Sequence, residues 1–247
     1  FEQYAKEAQL GADDLVLCGE HTYQKYIAPL NLDVQTLFRE KYGKGEPTDA
    51  MVDAMLDELR TKAFGRIIAI GGGTVIDIAK AIAVAGAEDK VDDLYDKVAE
   101  LKKMHPLVII PTTCGTGSEV TNISVINRVS KGVKMGLASD AMLADKAVLI
   151  TNMLDSLPYQ IFATSSIDAM VHSVESFLSP NACSISRLFS KEALKLILIC
   201  WKKSVEAGGG DAWKNYAAEF LKASNWAGVG FGYGGCAAVH ACAYPLG

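Results

Sequence analysis

Ile67-Ile68-Ala69-Ile70-Gly71-Gly72-Gly73-Thr74-Val75-Ile76-Asp77-Ile78-Ala79-Lys80 is an apolar, β-branched run, then a glycine turn, then a segment of helical spacing. A short apolar run bounded by glycine fits a strand buried on both faces, and residues 75–85 are apolar enough for a helix lying on a sheet. A strand that delivers the chain through a glycine turn into a helix is the repeating unit of parallel α/β sheets. The bare amides at such a helix start, aided by the positive end of the helix dipole, can meet a phosphate, and Thr74 adds a hydroxyl donor. The fingerprint G-x-G-x-x-G is absent because Ile76 stands at its third glycine, and no Lys follows as in a P-loop. On this segment alone, a phosphate-binding turn and a ligand-free turn fit equally well.

Outward from that unit, residues 15–18, 66–70, 107–110, 120–126, 133–138 and 147–150 read as strands, and residues 49–63 as a helix entered through Pro47-Thr48. The alternation predicts a mostly parallel sheet with helices on both faces. Beyond Pro158 the texture changes to 3.6-residue periodicity over 159–178, 184–205 and 211–226, with Gly208-Gly209-Gly210 as a loop and no strand. Gly228 to Gly235 is a stretch that lets two backbones approach closely. The expected organisation is an α/β domain over residues 1–153 and an all-α domain over 154–247.

Half of the 247 residues are apolar and 21% are charged, a globular composition that excludes disordered and fibrous classes. The 24 basic residues are scattered and the formal charge is -5, so no nucleic-acid partner is expected. No apolar stretch has the length of a membrane span, and no leader pattern opens the chain, so a cytoplasmic protein without a membrane partner is expected. Cys18, Cys114, Cys183, Cys200, Cys236 and Cys242 form no C-x-x-C pair. They are expected to be reduced thiols packed as small hydrophobes. The chain opens on Phe1 and stops within what reads as a packed segment, so a fragment is expected.

A second loop, Pro111-Thr112-Thr113-Cys114-Gly115-Thr116-Gly117-Ser118-Glu119, follows the strand at 107–110. Its hydroxyls and glycine amides suit a pyrophosphate or a ribose. Both loops follow parallel strands, so both are expected at the carboxyl edge of the sheet, where open α/β folds take ligands. Farther on, Asp168 and His172 lie four apart on a helix and share one face. His240 sits in an apolar stretch where an unpaired imidazole is costly to bury. One carboxylate and two imidazoles suit iron(II) or zinc with positions left open for substrate. The same set suits an oxygen-activating iron enzyme, but the nucleotide loops favour hydride chemistry. The nucleophile elbow G-x-S-x-G is absent. His21 and His105 are expected at the surface.

In order and spacing, four motifs resemble the iron-containing alcohol dehydrogenase family: Gly71-Gly72-Gly73-Thr74-x-x-Asp77-x-x-Lys80, Thr112-Thr113-x-Gly115-Thr116-Gly117-Ser118-Glu119, Asp168-Ala169-x-x-His172-x-x-Glu175 and His240-x-x-x-Tyr244-Pro245-Leu246-Gly247. The likeness runs from about Leu15 to the end. It implies an N-terminal Rossmann-like dinucleotide-binding domain, a helical C-terminal domain, and a metal and nicotinamide in the cleft between them. It implies Gly72, Gly73, Thr74 and Asp77 on the pyrophosphate side of NAD, with Thr112, Thr113, Thr116, Ser118 and Lys134 lining the rest of the dinucleotide. Asp168, His172 and His240 match three of four metal ligands, and serve as the catalytic centre, for a divalent ion that is Fe2+ or alternatively Zn2+. The fourth ligand would be a histidine beyond Gly247, and relatives carry an extra strand ahead of Phe1, so the helical domain is expected to be truncated.

Within the family, residues 41–47, Cys114, residues 120–124 and residues 134–138 most resemble members that interconvert 4-hydroxybutyrate and succinate semialdehyde. Tyr244 departs from the second histidine found in many relatives, and Glu20 matches the ribose-binding acid only with a shift. The expected partner is a small alcohol or aldehyde, and a homo-oligomer is expected. Rival readings are a butanol- or propanediol-type alcohol dehydrogenase, a non-redox cyclase resembling dehydroquinate synthase, and a catalytically inactive nucleotide-binding fragment.

Overall fold

The structure is a computed structural model in which residues 1–235 and 238–243 are described. Cys236 and the expected motif at 244–247 lie outside these residues. Contacts divide the chain into two compact units, Phe1–Pro111 with Asn122–Val148, and Thr112–Thr121 with Leu149–Gly247.

The first unit is built on a five-stranded parallel sheet in the order β2-β1-β3-β4-β7. Its strands are β1 (Asp14–Cys18), β2 (Gln35–Phe38), β3 (Arg66–Gly71), β4 (Leu107–Pro111) and β7 (Lys146–Ala147). β1 and β4 are buried at every position and β3 at all but its first, as unbroken apolar runs require when both faces are covered. Only Leu37 of β2 is buried, which is why its sequence carries no strand signal. β7 has two residues where four were expected.

The strands expected at 120–126 and 133–138 do not join this sheet. β5 (Ile123–Arg128) and β6 (Val133–Ala138) pair antiparallel as a separate ribbon, closed through Gly132 at φ +63°. Residues Ser118–Val120 form a 3-10 turn before it. The helices of this unit are α1 (Glu2–Glu7), α2 (Glu20–Thr22), α3 (Asp49–Leu59), α4 (Gly73–Val84) and α5 (Val91–Asp96). Thr48 caps α3 by accepting the Met51 N–H at 3.2 Å. Strand order reverses between β1 and β3, the place where open α/β sheets take ligands at their carboxyl ends. Gly71 and Pro111 stand side by side in register, so β3 and β4 finish at one edge.

The ribbon is fastened to α4 at consecutive residues. Lys80, fully buried, donates from Nζ to the Ile123 carbonyl at 2.8 Å, and Ser124 Oγ donates to the Asp77 carbonyl at 2.8 Å. The Val125 N–H donates to Asp77 Oδ2 at 3.2 Å.

The second unit holds α6 (Tyr159–Leu178), α7 (Ser184–Glu206), α8 (Ala217–Gly234) and the one-turn helix α9 (Ala238–Ala243). The helix expected over 211–226 is instead a 3-10 segment, Gly210–Tyr216, followed by α8. Trp213 on that segment is fully buried and stacks on Phe162 at 3.9 Å and 5°, with Phe220 edge-on to Phe162 at 4.8 Å. The glycine-rich stretch does allow close approach: a Cβ at Gly230 would fall 2.2 Å from Ser190 Oγ, and one at Gly234 would fall 2.8 Å from the Ser176 carbonyl. Cys18, Cys114 and Cys200 are buried as expected, but Cys183 and Cys242 are exposed. Cys183 sits at the mouth of α7, where its Sγ accepts the Ser186 N–H at 3.5 Å, a capping position rather than a core one.

In the contact division residues Thr112–Thr121 group with the helices, and the chain passes into the helical unit after Val148. A Cβ on Gly115 would lie 2.5 Å from the Ser165 carbonyl, and Gly117, at φ +58°, brings its backbone against Gly228. Glu119, buried, accepts from Asn225 Nδ2 at 3.0 Å. Among the described residues no helix is long and apolar enough to cross a membrane.

Candidate functional site

In the first unit, Gly72, Gly73 and Thr74 are partly exposed at the start of α4, and no side chain caps that end. The first-turn amides of a helix have no partner within it, which leaves these free to meet an anion. Asp77 is turned inward. Its Oδ2 takes the Val125 N–H, while Oδ1 is buried without a hydrogen-bond partner. Burial pushes this carboxyl up to about 6, opposed by Lys80. Lys134 on β6 is half-buried and pairs with Glu46 at 2.6 Å. Glu20 is exposed one residue past Gly19, and its N–H donates to Glu40 Oε2 at 3.2 Å. Glu40, which sequence reasoning did not single out, follows β2, whose Phe38 is in register with Cys18 of β1. His21 is exposed as expected, whereas His105 is half-buried against Phe64, the rings 4.4 Å apart and tilted by 30°.

In the second unit, the loop at 112–119 alternates anchors with accessible hydroxyls. Cys114, Gly115, Gly117 and Glu119 are buried, while Thr112, Thr113, Thr116 and Ser118 remain half-exposed. Buried glycines that admit neighbouring backbone therefore hold a rank of hydroxyl side chains in place.

The same unit brings Asp168, His172 and His240 together, with one ligand atom from each lying within 4.8 Å of the others. Asp168 and His172 share a face of α6 at the expected spacing, and His240 arrives on α9. His172 Nδ1 is 3.9 Å from Asp168 Oδ2, and His240 Nε2 is 3.5 Å from Asp168 Oδ1. The two imidazoles stack at 4.5 Å and 13°. Burial pushes the Asp168 carboxyl up, but the His240 ring 3.5 Å away and the nearby His172 ring outweigh it, so it stays below the usual carboxylate range. Burial holds His172 below the usual imidazole range, and the Gly115 backbone hydrogen-bonds its ring. His172 Nδ1 is buried with no hydrogen-bond partner.

A neutral imidazole has one N–H, so the nitrogen left without a partner here presents a lone pair towards Asp168. A buried lone pair facing a carboxylate is unfavourable unless a cation lies between them, and one oxygen with two nitrogens is a borderline donor set suited to Fe2+ or Zn2+. The residues therefore fit a divalent metal. Glu175, which sequence reasoning quoted without a role, is buried three residues past His172 and contacts His240 Nδ1 at 2.6 Å.

The sequence matches the model of the iron-containing alcohol dehydrogenase family over residues 1–151 and that of its C-terminal domain over 162–247. The chain belongs to this family. It is 42% identical over 246 residues to a 4-hydroxybutyrate dehydrogenase of Clostridium kluyveri, covering 100% of the chain and 66% of the relative. It is also 39% identical over 193 residues to long-chain-alcohol dehydrogenase 1 of Geobacillus thermodenitrificans, covering 76% of the chain and 47% of that protein. Among solved structures, an iron-containing alcohol dehydrogenase from Thermotoga maritima superimposes with a TM-score of 0.83 at 28% identity, covering 99% of the chain and 68% of its own. The chain thus spans just under two thirds of the first of these curated relatives and about half of the second. The α/β fold with its parallel sheet and following helices is that of iron-type alcohol dehydrogenases.

Proposed function

We propose that the chain is the dinucleotide- and metal-binding part of an NAD-linked alcohol dehydrogenase that interconverts 4-hydroxybutyrate and succinate semialdehyde. The observation that carries this reading is the convergence of Asp168, His172 and His240 around a position fit for a cation, and identity to a 4-hydroxybutyrate dehydrogenase supports the substrate. When bound, a divalent ion supplies Lewis-acid polarisation of the substrate oxygen, and nicotinamide accepts or returns the carbinol hydride. Asp168, His172 and His240 would hold the ion, which is Fe2+ or Zn2+. The amides of Gly72, Gly73 and Thr74 receive pyrophosphate at the start of α4. Thr112, Thr113, Thr116 and Ser118 give hydroxyl contacts to the remainder of the dinucleotide, and Lys134 gives it a positive charge. Asp77 acts from behind, by holding β5 against α4.

With metal supplied, NADH oxidation should be faster with succinate semialdehyde than with butanal by at least about tenfold in kcat/KM, because a buried site built to pair with a carboxylate penalises its absence. Equal rates would return the assignment to a general alcohol dehydrogenase. Absence of turnover with both aldehydes would favour a nucleotide-binding module without catalysis.

Cofactor choice follows from Glu20 and Glu40. Two carboxylates at the carboxyl ends of β1 and β2 accept ribose hydroxyls and repel a 2′-phosphate. Binding of NADH is expected to be tighter than that of NADPH by about tenfold or more, as read by nicotinamide fluorescence titration. Equal affinities would contradict the role of these carboxylates.

A further inference from the structure

We propose that Glu175 is a positioning residue of the metal site, holding His240 in the tautomer that turns its Nε2 lone pair toward Asp168 and His172. The proposal rests on the metal reading above. Glu175 lies on α6 one turn beyond His172 and two beyond Asp168, so the helix carries all three on one face. It is buried, and each of its oxygens receives a donor from α9: Oε1 takes the Val239 N–H at 2.6 Å, and Oε2 lies 2.6 Å from His240 Nδ1.

An ionised carboxylate only accepts, so at that second distance an ionised Glu175 takes its hydrogen bond from an Nδ1–H. In the neutral ring, the form that can hold an ion, there is no other proton, so Nε2 carries the lone pair, and Nε2 is the atom 3.5 Å from Asp168 Oδ1. Stacking on His172 at 13° fixes the plane in which the lone pair points. A carboxylate behind the ring also raises its basicity as a ligand. The bond to Val239 adds a second function, tying the start of α9 to α6 so that the ring arrives at a defined height.

Glutamine separates this role from packing. With its oxygen on the Val239 N–H, its amide would donate to Nδ1 and drive the proton to Nε2, turning an N–H into the place meant for the ion. The experiment compares wild type, Glu175→Gln, Glu175→Asp and His172→Ala. It measures the His240 tautomer by imidazole 15N NMR in the metal-free protein, Co(II) affinity by titration against a chelator, and helicity by circular dichroism. Glu175→Gln should shift His240 to the Nε2–H form and weaken Co(II) binding by about 10- to 100-fold with helicity retained. Glu175→Asp should keep the Nδ1–H form and recover part of the affinity. A wild-type tautomer or an affinity within about twofold of wild type in Glu175→Gln would overturn the proposal. If the glutamine variant does not fold, an Nε2–H His240 in Glu175→Asp overturns it equally. Failure of the metal reading would look different: His172→Ala would bind Co(II) as wild type does, while the tautomer shift in metal-free Glu175→Gln would persist.

Discussion

On the proposed function, replacing His172 with alanine is expected to abolish divalent-metal binding and, with it, dehydrogenase turnover, while the fold and NADH binding largely persist. The imidazole is buried, its Nδ1 has no hydrogen-bond partner, and it faces Asp168 Oδ2 at a distance too long for a hydrogen bond. Losing a direct ligand should exceed the roughly 10- to 100-fold cost of losing an outer partner, so an affinity loss above about 100-fold is expected. The glycine turn at the start of α4, proposed to take the pyrophosphate, lies in the other compact unit and makes no use of this ring, whereas the loop at 112–119 loses only the Gly115 contact to it. Metal analysis after dialysis, alongside circular dichroism and NADH titration, checks the outcome. Stoichiometric metal in the alanine variant would remove His172 from the ligand set.

Gly117→Ala is expected to destabilise the helical unit by about 2–5 kcal/mol. Gly117 sits at φ +58°, where a side chain costs roughly 1–2 kcal/mol. Its new Cβ would fall 2.5 Å from Gly228 Cα and 2.8 Å from both Gly228 N and the Ser224 carbonyl, all backbone atoms of α8 that cannot swing aside. Overpacking of this kind costs a further ~1–3 kcal/mol. Gly132 supplies the control, because it has φ +63° and nothing within 4 Å of its imagined Cβ. Gly132→Ala should therefore show the conformational cost alone. Urea unfolding separates the two, and equal midpoint shifts would contradict the packing argument. Thr116 and Ser118 flank Gly117, so the same change should weaken NADH binding if those hydroxyls meet the dinucleotide.

The parts of this molecule that could be read from the sequence are those whose cause is local. The β3-glycine-α4 unit was legible because an apolar run, three glycines and a helical pattern lie within fourteen residues. The Asp168–His172 pair was legible because helical spacing alone puts the two on one face. β2 was not, since only Leu37 of its four residues is buried and no alternation marks it. The separate pairing of β5 with β6 escaped too, because strand propensity does not say which neighbour a strand will choose. The loop at Thr112–Thr121 looked like an appendage of β4, yet Gly117 and Gly228 bind it to helices more than a hundred residues away. Glu175 went unassigned for the same reason, as its partner His240 lies 65 positions on.

The fastening of the ribbon to α4 bears on the thermodynamics of ligand capture. Three successive residues, Ile123, Ser124 and Val125, are bonded to Lys80 and Asp77, so the ribbon is tied to the helix although it stands outside the five-stranded sheet. The placement of the ribbon's backbone beside the glycine turn at Gly73 is then set during folding. A ligand spanning the turn and the ribbon need not recruit a wandering strand, and the ordering entropy that such recruitment would charge against each binding event, about 0.5–1.5 kcal/mol per immobilised side chain, has already been spent.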